Sequence, residues 1–153
     1  MIRRATQEDI PAILHLLEQV LAVHHQGRPD LFREKGTKYS GPELLEMLGQ
    51  ADAPVFVLEE SGSVAGYIMC KMLKADGAAQ EPITTLYVDD LCVDKSSRGK
   101  GIGRQLMEYA RDYAREQGCH NLTLHVWEGN PGAQAFYESL GMKTQYTCLE
   151  WVL

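Results

Sequence analysis

No stretch of this chain approaches the roughly 20 consecutive apolar residues that a membrane-crossing helix needs, which excludes a helical span and a membrane partner. Internal repeats, low-complexity tracts and Pro/Gly/Ser linkers are also missing, and 153 residues suit a single domain, residues 1–153, better than two. Met1 to Thr6 runs straight into polar sequence without the apolar core of a secretory signal, so a cytoplasmic protein is expected. Cysteine is sparse. Cys70, Cys92, Cys119 and Cys148 stand far apart with no C-x-x-C pair, which argues against a metal finger and a disulfide framework and leaves mostly buried thiols. His15, His120 and His125 lack partners at metal-ligand spacing, and no metal is expected. Basic charge is short as well: 15 Lys and Arg against 21 Asp and Glu give a formal net charge of −6. That is the wrong sign for a nucleic-acid-binding face, and it is compatible with a cationic substrate.

What is present reads as a series of alternating elements. Ile2–Ala5 suits a short strand, after which Thr6 and Asp9 open a helix over residues 7–24, with Ile10, Ile13, Leu14, Leu17, Val20 and Leu21 at helical spacing. His24 to Tyr39 reads as loop or broken helix, and Ser40-Gly41-Pro42-Glu43 as a capping box opening a short helix to about Gly49. Strands are expected at Val55–Glu60, Val64–Lys74, Thr84–Val93, Leu122–Val126 and Thr144–Leu153, with helices at Ile102–Gln117 and Pro131–Leu140. The order β-α-α-β-β-β-α-β-α-β is that of an α/β (α+β) protein with a mixed sheet, antiparallel in its first half and with a β-α-β crossover in its second.

The most informative segment is Val93 to Arg104. A strand ends, a polar turn follows, and Arg98-Gly99-Lys100-Gly101-Ile102-Gly103 opens the longest amphipathic helix of the second half. The first N–H groups of a helix have no internal partners and carry the positive end of its dipole, while glycines let an anion come close to the backbone. The site is suited to a phosphate or pyrophosphate. A Walker A loop is ruled out because Gly101, not Ser or Thr, follows Lys100; a dinucleotide fingerprint fails because Arg104 occupies the third glycine position. A glycine-rich turn that merely packs is the competing reading.

Arg98 to Gly103 also matches the Q/R-x-x-G-x-G/A signature of the GNAT superfamily of N-acetyltransferases, which move acetyl from acetyl-CoA to an amine. Asn130, Ala133, Phe136, Tyr137 and Gly141 resemble that family's N-x-x-A-x-x-F-Y-x-x-x-G-F segment, with Met142 in place of the final aromatic. Lys95 stands where many relatives have proline, a change in the stiffness of the turn. The chain thus resembles a small bacterial-type member, and Asp89-Asp90-Leu91-Cys92-Val93 is similar to the acidic pair of the spermidine/spermine acetyltransferases.

The resemblance implies a GNAT fold along almost the whole chain and direct attack of an amine on the thioester in a ternary complex. It implies acetyl-CoA held by the backbone of Leu91, Cys92 and Val93, by Arg98, Gly99, Lys100, Gly101, Ile102, Gly103 and Arg104, and by Asn130 and Tyr137. Tyr137 becomes the acid for the leaving thiolate, against a plain core-packing role. A base is needed because a free amine near neutral pH is mostly ammonium. Neighbours on a strand point to opposite faces, so only one of the two acids can face the acceptor directly. The resemblance to the spermidine/spermine acetyltransferases, whose first acid is the one proposed to deprotonate the amine, places Asp89 first and Asp90 second, with attraction of a cation or support of a loop as the alternatives. Glu128 is a weaker candidate, and Asn130 either holds the pantetheine arm or caps the next helix. His24 and His25 read as loop histidines, Trp127 and Trp151 as core or interface residues. The final strand is a candidate for pairing in a homodimer, as in many family members. The acceptor, to be read from residues 20–50 and 74–84, is expected to be a small cationic amine or polyamine. An amino acid, a peptide or protein amine, an aminosugar, a longer acyl donor and a catalytically silent acetyl-CoA sensor all stay open.

Overall fold

The computed structural model describes residues 1–153. Its elements are β1 (Ile2–Arg4), α1 (Ile10–Gly27), α2 (Gly41–Leu48), β2 (Val55–Glu60), β3 (Ser63–Lys74), β4 (Thr84–Val93), α3 (Ile102–Glu116), β5 (Asn121–Leu124) and α4 (Pro131–Ser139), with single 3-10 turns before α1 and α3. The five strands form one mixed sheet in chain order, antiparallel from β1 to β4 and parallel between β4 and β5. A parallel pair needs a long crossover, and α3 supplies it. No helix of the chain is long and apolar enough to cross a membrane.

Helices cover both faces of the sheet, which is why β2 reads as an unbroken apolar run rather than an alternating one. Val55 and Val57 point to one face, where they join Tyr67, Met69 and Cys92 under Ile13, Leu16, Leu17 and Leu44 of α1 and α2. Phe56 and Leu58 point to the other, joining Ile68, Leu86 and Val88 under Ile102, Leu106 and Ala110 of α3. Asp9 is the one buried charged residue; its carboxylate accepts from the Arg3 guanidinium at 2.8 and 2.9 Å and from the Thr6 N–H at 2.8 Å. Those bonds hold Asp9 below the usual carboxylate range and tie the entry of α1 to β1.

Three expectations need correction. Helix α1 runs to Gly27, so His24 and His25 are helical, with the turn closed by Arg28 N–H to His24 carbonyl at 2.9 Å. Strand β5 ends at Leu124 rather than Val126, because β4 offers it partners only from Thr85 to Val88. The closing strand Thr144–Leu153 is not formed: nothing beyond Met142 makes a backbone hydrogen bond, and a strand-forming composition without a paired neighbour yields no strand. Trp151, read as core or interface, is 90% exposed there and so is not a core residue.

Helix α3 lies close to the sheet because Gly66 of β3 has no side chain. A Cβ there would come within 2.9 Å of the Cys92 carbonyl and 3.2 Å of Ile102 and Leu106. A Gly66→Ala variant is therefore expected to lose about 2 kcal/mol of stability by overpacking against backbone, measured as a lower midpoint in thermal or urea unfolding.

Candidate active site

Strand β4 pairs with β5 only through Val88, opposite Leu124, and then continues to Val93 alone. Along residues 89–93 one edge is bonded to β3 and the other is open. Leu91 and Val93 turn their side chains toward α3, and Cys92 turns its own toward α1, so the free edge is backbone. The Cys92 thiol approaches the Leu16 carbonyl at 3.5 Å, and burial pushes it up to about 12, which leaves it protonated and inert at neutral pH.

The open edge ends at the glycine-rich turn. Gly99 and Gly101 adopt φ of +80° and +77°, Gly101 is the N-cap of α3, and the space a Cβ would take at either is open. None of the N–H groups from Gly99 to Arg104 donates to another part of the chain. Alternating left-handed glycines before a helix turn such groups inward as an anion nest. Lys95, Arg98, Lys100 and Arg104 flank or belong to this turn in the sequence; Arg98 Nε bonds the Val93 carbonyl at 3.4 Å and Lys100 reaches Glu60 at 3.5 Å. These residues fit a diphosphate in charge and in backbone shape.

Phe136 of α4 packs on Gly103 at the start of α3, where a Cβ would come within 3.3 Å of its ring, and its ring centroid lies 5.1 Å from that of Tyr137. That contact sets the position of Tyr137, whose phenol is pushed up to about 12 by burial first and by the Asp90 charge second. Asn130 caps α4, accepting from the Ala133 N–H at 3.2 Å.

The acidic pair departs from simple alternation. Met69 lies opposite Asp90 and Cys70 opposite Val88, so Asp89 is the extra residue of a β-bulge. Val88 belongs to the α3 face, while Asp89 and Asp90 both meet residues of the α1–α2 face. The expectation that only one of them can face that side is thus overturned by the bulge. Their environments differ sharply. The Asp89 carboxylate, 8% exposed, accepts from Tyr39 Oη at 2.5 Å and from Lys38 Nζ at 3.1 Å, with Lys71 Nζ at 3.8 Å. Asp90 has one hydrogen bond, from Tyr67 Oη at 3.0 Å, and burial raises it above the usual carboxylate range despite Lys38, Tyr67 and His24.

A cavity of about 560 Å³ opens between the end of α1 and the segment after β5. Its aromatic wall is continuous: His24 stacks on Phe32 at 4.9 Å, and Phe32 meets Trp127 edge-on at 5.4 Å. Glu128, Asn130 and Arg28 share the lining. Trp127 is therefore a cavity residue rather than a core one. Burial lowers His24, which leaves the imidazole neutral at physiological pH. Phe32 gave no signal in the sequence because its neighbours in this wall lie on distant segments. A helical reading of α1 through Gly27 would have placed His24 beside it.

Comparison with known proteins agrees with this geometry. The model of the acetyltransferase (GNAT) family matches residues 18–142. An N-acetyltransferase of Escherichia coli, YjgM, is 29% identical over 151 residues, covering 94% of this chain and 81% of its own length. One from Methanocaldococcus jannaschii is 25% identical over 99% of this chain, which spans 64% of that relative's length; against a Lactobacillus delbrueckii N-acetyltransferase, 36% identical over 57% of this chain, the share is 50%. The chain thus spans between half and two thirds of the length of these two curated relatives. Among solved structures, a mutant of the BH1408 protein from Bacillus halodurans superimposes with a TM-score of 0.95 at 30% identity, over 100% of this chain and 99% of that one. With a family model covering most of its length and a mixed five-stranded sheet opened at β4, this chain belongs to the GNAT family of acetyltransferases.

Proposed function

We propose that this protein transfers acetyl from acetyl-CoA to the primary amine of a small cationic molecule. The observation that carries this reading is the free backbone edge of β4, which ends in the nest at Gly99–Arg104 and lies between Asp90 on one side and Tyr137 on the other. The coenzyme supplies an activated thioester. Residues Gly99 to Arg104 would hold its diphosphate, with Lys100, Arg98 and Arg104 adding charge, and the open edge of Leu91, Cys92 and Val93 would pair with its amide-bearing arm. A free N–H of that edge is also suited to the oxygen that gains negative charge as the amine attacks. Asn130, already committed to capping α4, would border the arm rather than define it.

Of the two acids, Asp90 is the better base. Its raised affinity for a proton brings it nearer neutrality, as general base catalysis requires, and a single bond leaves lone pairs free. Asp89 is held by Tyr39, Lys38 and Lys71, and its role is to anchor the loop before α2 beside the site. The ammonium of the acceptor loses a proton toward Asp90, directly or through water. Its nitrogen bonds to the acyl carbon, the carbon–sulfur bond breaks, the thiolate takes the Tyr137 phenolic proton, and the second proton lost by the nitrogen as the amide forms returns through water to the Tyr137 phenolate. Neutral His24, with Phe32 and Trp127, suits the apolar body of the amine, and Glu128 and Asp90 suit its charge. A polyamine fits this combination, as does an aminosugar: a structural neighbour with a TM-score of 0.75 at 21% identity is an aminoglycoside acetyltransferase in complex with sisomicin. A peptide amine would need a longer groove.

Coenzyme A release, followed with acetyl-CoA and a panel of amines, tests the reading. Tyr137→Phe is expected to lower kcat by about ten- to a hundredfold with little change in acetyl-CoA affinity. Tight acetyl-CoA binding without turnover on any amine would instead favour a silent sensor. Gly101→Val, which puts a β-branched residue at φ +77° beside the nest, is expected to weaken acetyl-CoA binding by about tenfold or more in calorimetry.

Asp90→Asn is expected to lower kcat/KM by about a hundredfold. It should also abolish an acid limb that lies above the ordinary carboxylate range, a limb that His24→Gln leaves in place. The same substitution has a stability signature of opposite sign. Because the folded protein holds Asp90 raised, the stability linked to its proton is present at low pH and lost as pH rises through the folded value. Asp90→Asn should therefore raise the melting temperature at pH 8, with the gain shrinking toward pH 4.

A further inference from the structure

Between the free edge of β4 and the nest lies a short polar turn, Asp94 to Ser97, and its stiffness decides how well the two stay aligned. From Lys95 to Lys100 the main chain makes one hydrogen bond to a distant part of the molecule: the Lys95 N–H donates to Gln19 Oε1 at 3.2 Å. The same amide donates from Nε2 to Asp94 Oδ2, also at 3.2 Å. His15 Nε2, one turn back on α1, stands 3.2 Å from that nitrogen. Asp94 closes the turn from within, accepting at Oδ1 from the Ser96 N–H at 2.8 Å and the Ser96 hydroxyl at 2.6 Å. Gln19 is half-buried and follows Leu16 and Leu17, each 1% exposed, so its amide is presented from a helix fixed in the core.

We propose that Gln19 is a positioning residue for the coenzyme: its amide clamps the 94–97 turn, so that the nest at Gly99–Arg104 stands in line with the β4 edge before the diphosphate arrives. The inference rests on the acetyl-CoA reading above. Edge and nest would grip two ends of one ligand, and a slack turn between them would have to be ordered on binding, which lowers affinity. Oxygen and nitrogen of the amide bridge successive residues, Lys95 and Asp94, which fixes the rotation of the turn as well as its place. Gln19 thus acts through the turn and not on the ligand. Proline offers an independent way to the same stiffness. Asp94 has φ −53° and ψ 139°, the extended form that a residue before proline prefers, and Lys95 is the first residue of the 3-10 turn. Lys95→Pro therefore suits this backbone, and it removes the N–H that Gln19 binds.

Calorimetric titration with acetyl-CoA of the wild type, Gln19→Leu, Lys95→Pro and the double variant tests the clamp. Gln19→Leu is expected to weaken binding about fivefold or more. In the Lys95→Pro background the same substitution is expected to change affinity by less than about twofold, because the turn no longer depends on the amide. A general loss of folding stability would act equally in both backgrounds. Circular dichroism and melting temperature check folding, and Gln19→Ala, which keeps a strong helix former in α1, carries the test should Gln19→Leu fail to fold. Unchanged affinity in the Gln19 variants, or an equal loss in both backgrounds, overturns the proposal while leaving acetyl-CoA binding in place. A wild type that binds no acetyl-CoA overturns the coenzyme reading itself, and the clamp with it.

Discussion

Strand β4 takes part in two different kinds of pairing, and the site exists because one of them stops early. Its antiparallel bonds to β3 run from Thr84 to Val93, whereas its parallel bonds to β5 end at Val88. Had β5 followed it to the end, every N–H and carbonyl of residues 89–93 would be committed to the sheet and no edge would be left for a ligand. Gly66 bears on the same point from the other side of the strand. By letting α3 settle close to the sheet, it brings the helix N-terminus up to the end of that edge. The anion nest and the free strand are thus two consequences of one packing arrangement.

The bulge at Asp89 divides the work of two adjacent carboxylates. In a regular strand they would face opposite layers; here both face the α1–α2 side, and their surroundings set their protonation apart. Asp89 is surrounded by donors, so its charge is satisfied and fixes a loop. Asp90 is dry, with one phenol for company, so its charge is costly. A carboxylate held in that condition reduces stability at neutral pH and gains basicity in return.

The cavity at the end of α1 draws on parts of the chain that are far apart. His24 closes α1, Phe32 belongs to the loop after it, and Trp127 follows β5. These three rings form one wall only because the parting of β4 and β5 leaves the segment after Leu124 free to swing toward the end of α1. The C-terminal segment passes the same rim, where Glu150 meets Arg28.

Local chemistry was written plainly in the sequence. The capping box at Ser40–Glu43, the turn glycines at 99 and 101 and the Asn130 cap each act within a few residues, so spacing alone was enough to place them. Helical and strand periods likewise gave the order of elements from β1 to α4, because a buried face imposes its period on the residues that form it. The motif at Arg98–Gly103 and the segment from Asn130 to Gly141 carried the family. What the sequence could not carry depended on partners distant in the chain. The bulge that turns Asp89 and Asp90 to one side arises from register against β3, and the extent of β5 from where β4 leaves it. The wall of His24, Phe32 and Trp127 needs three separate segments brought together. Residues 144–153 have a strand's composition without a strand's neighbour. Composition and period are properties of a segment, whereas pairing, register and burial are properties of two segments at once, and only the tertiary structure decides those.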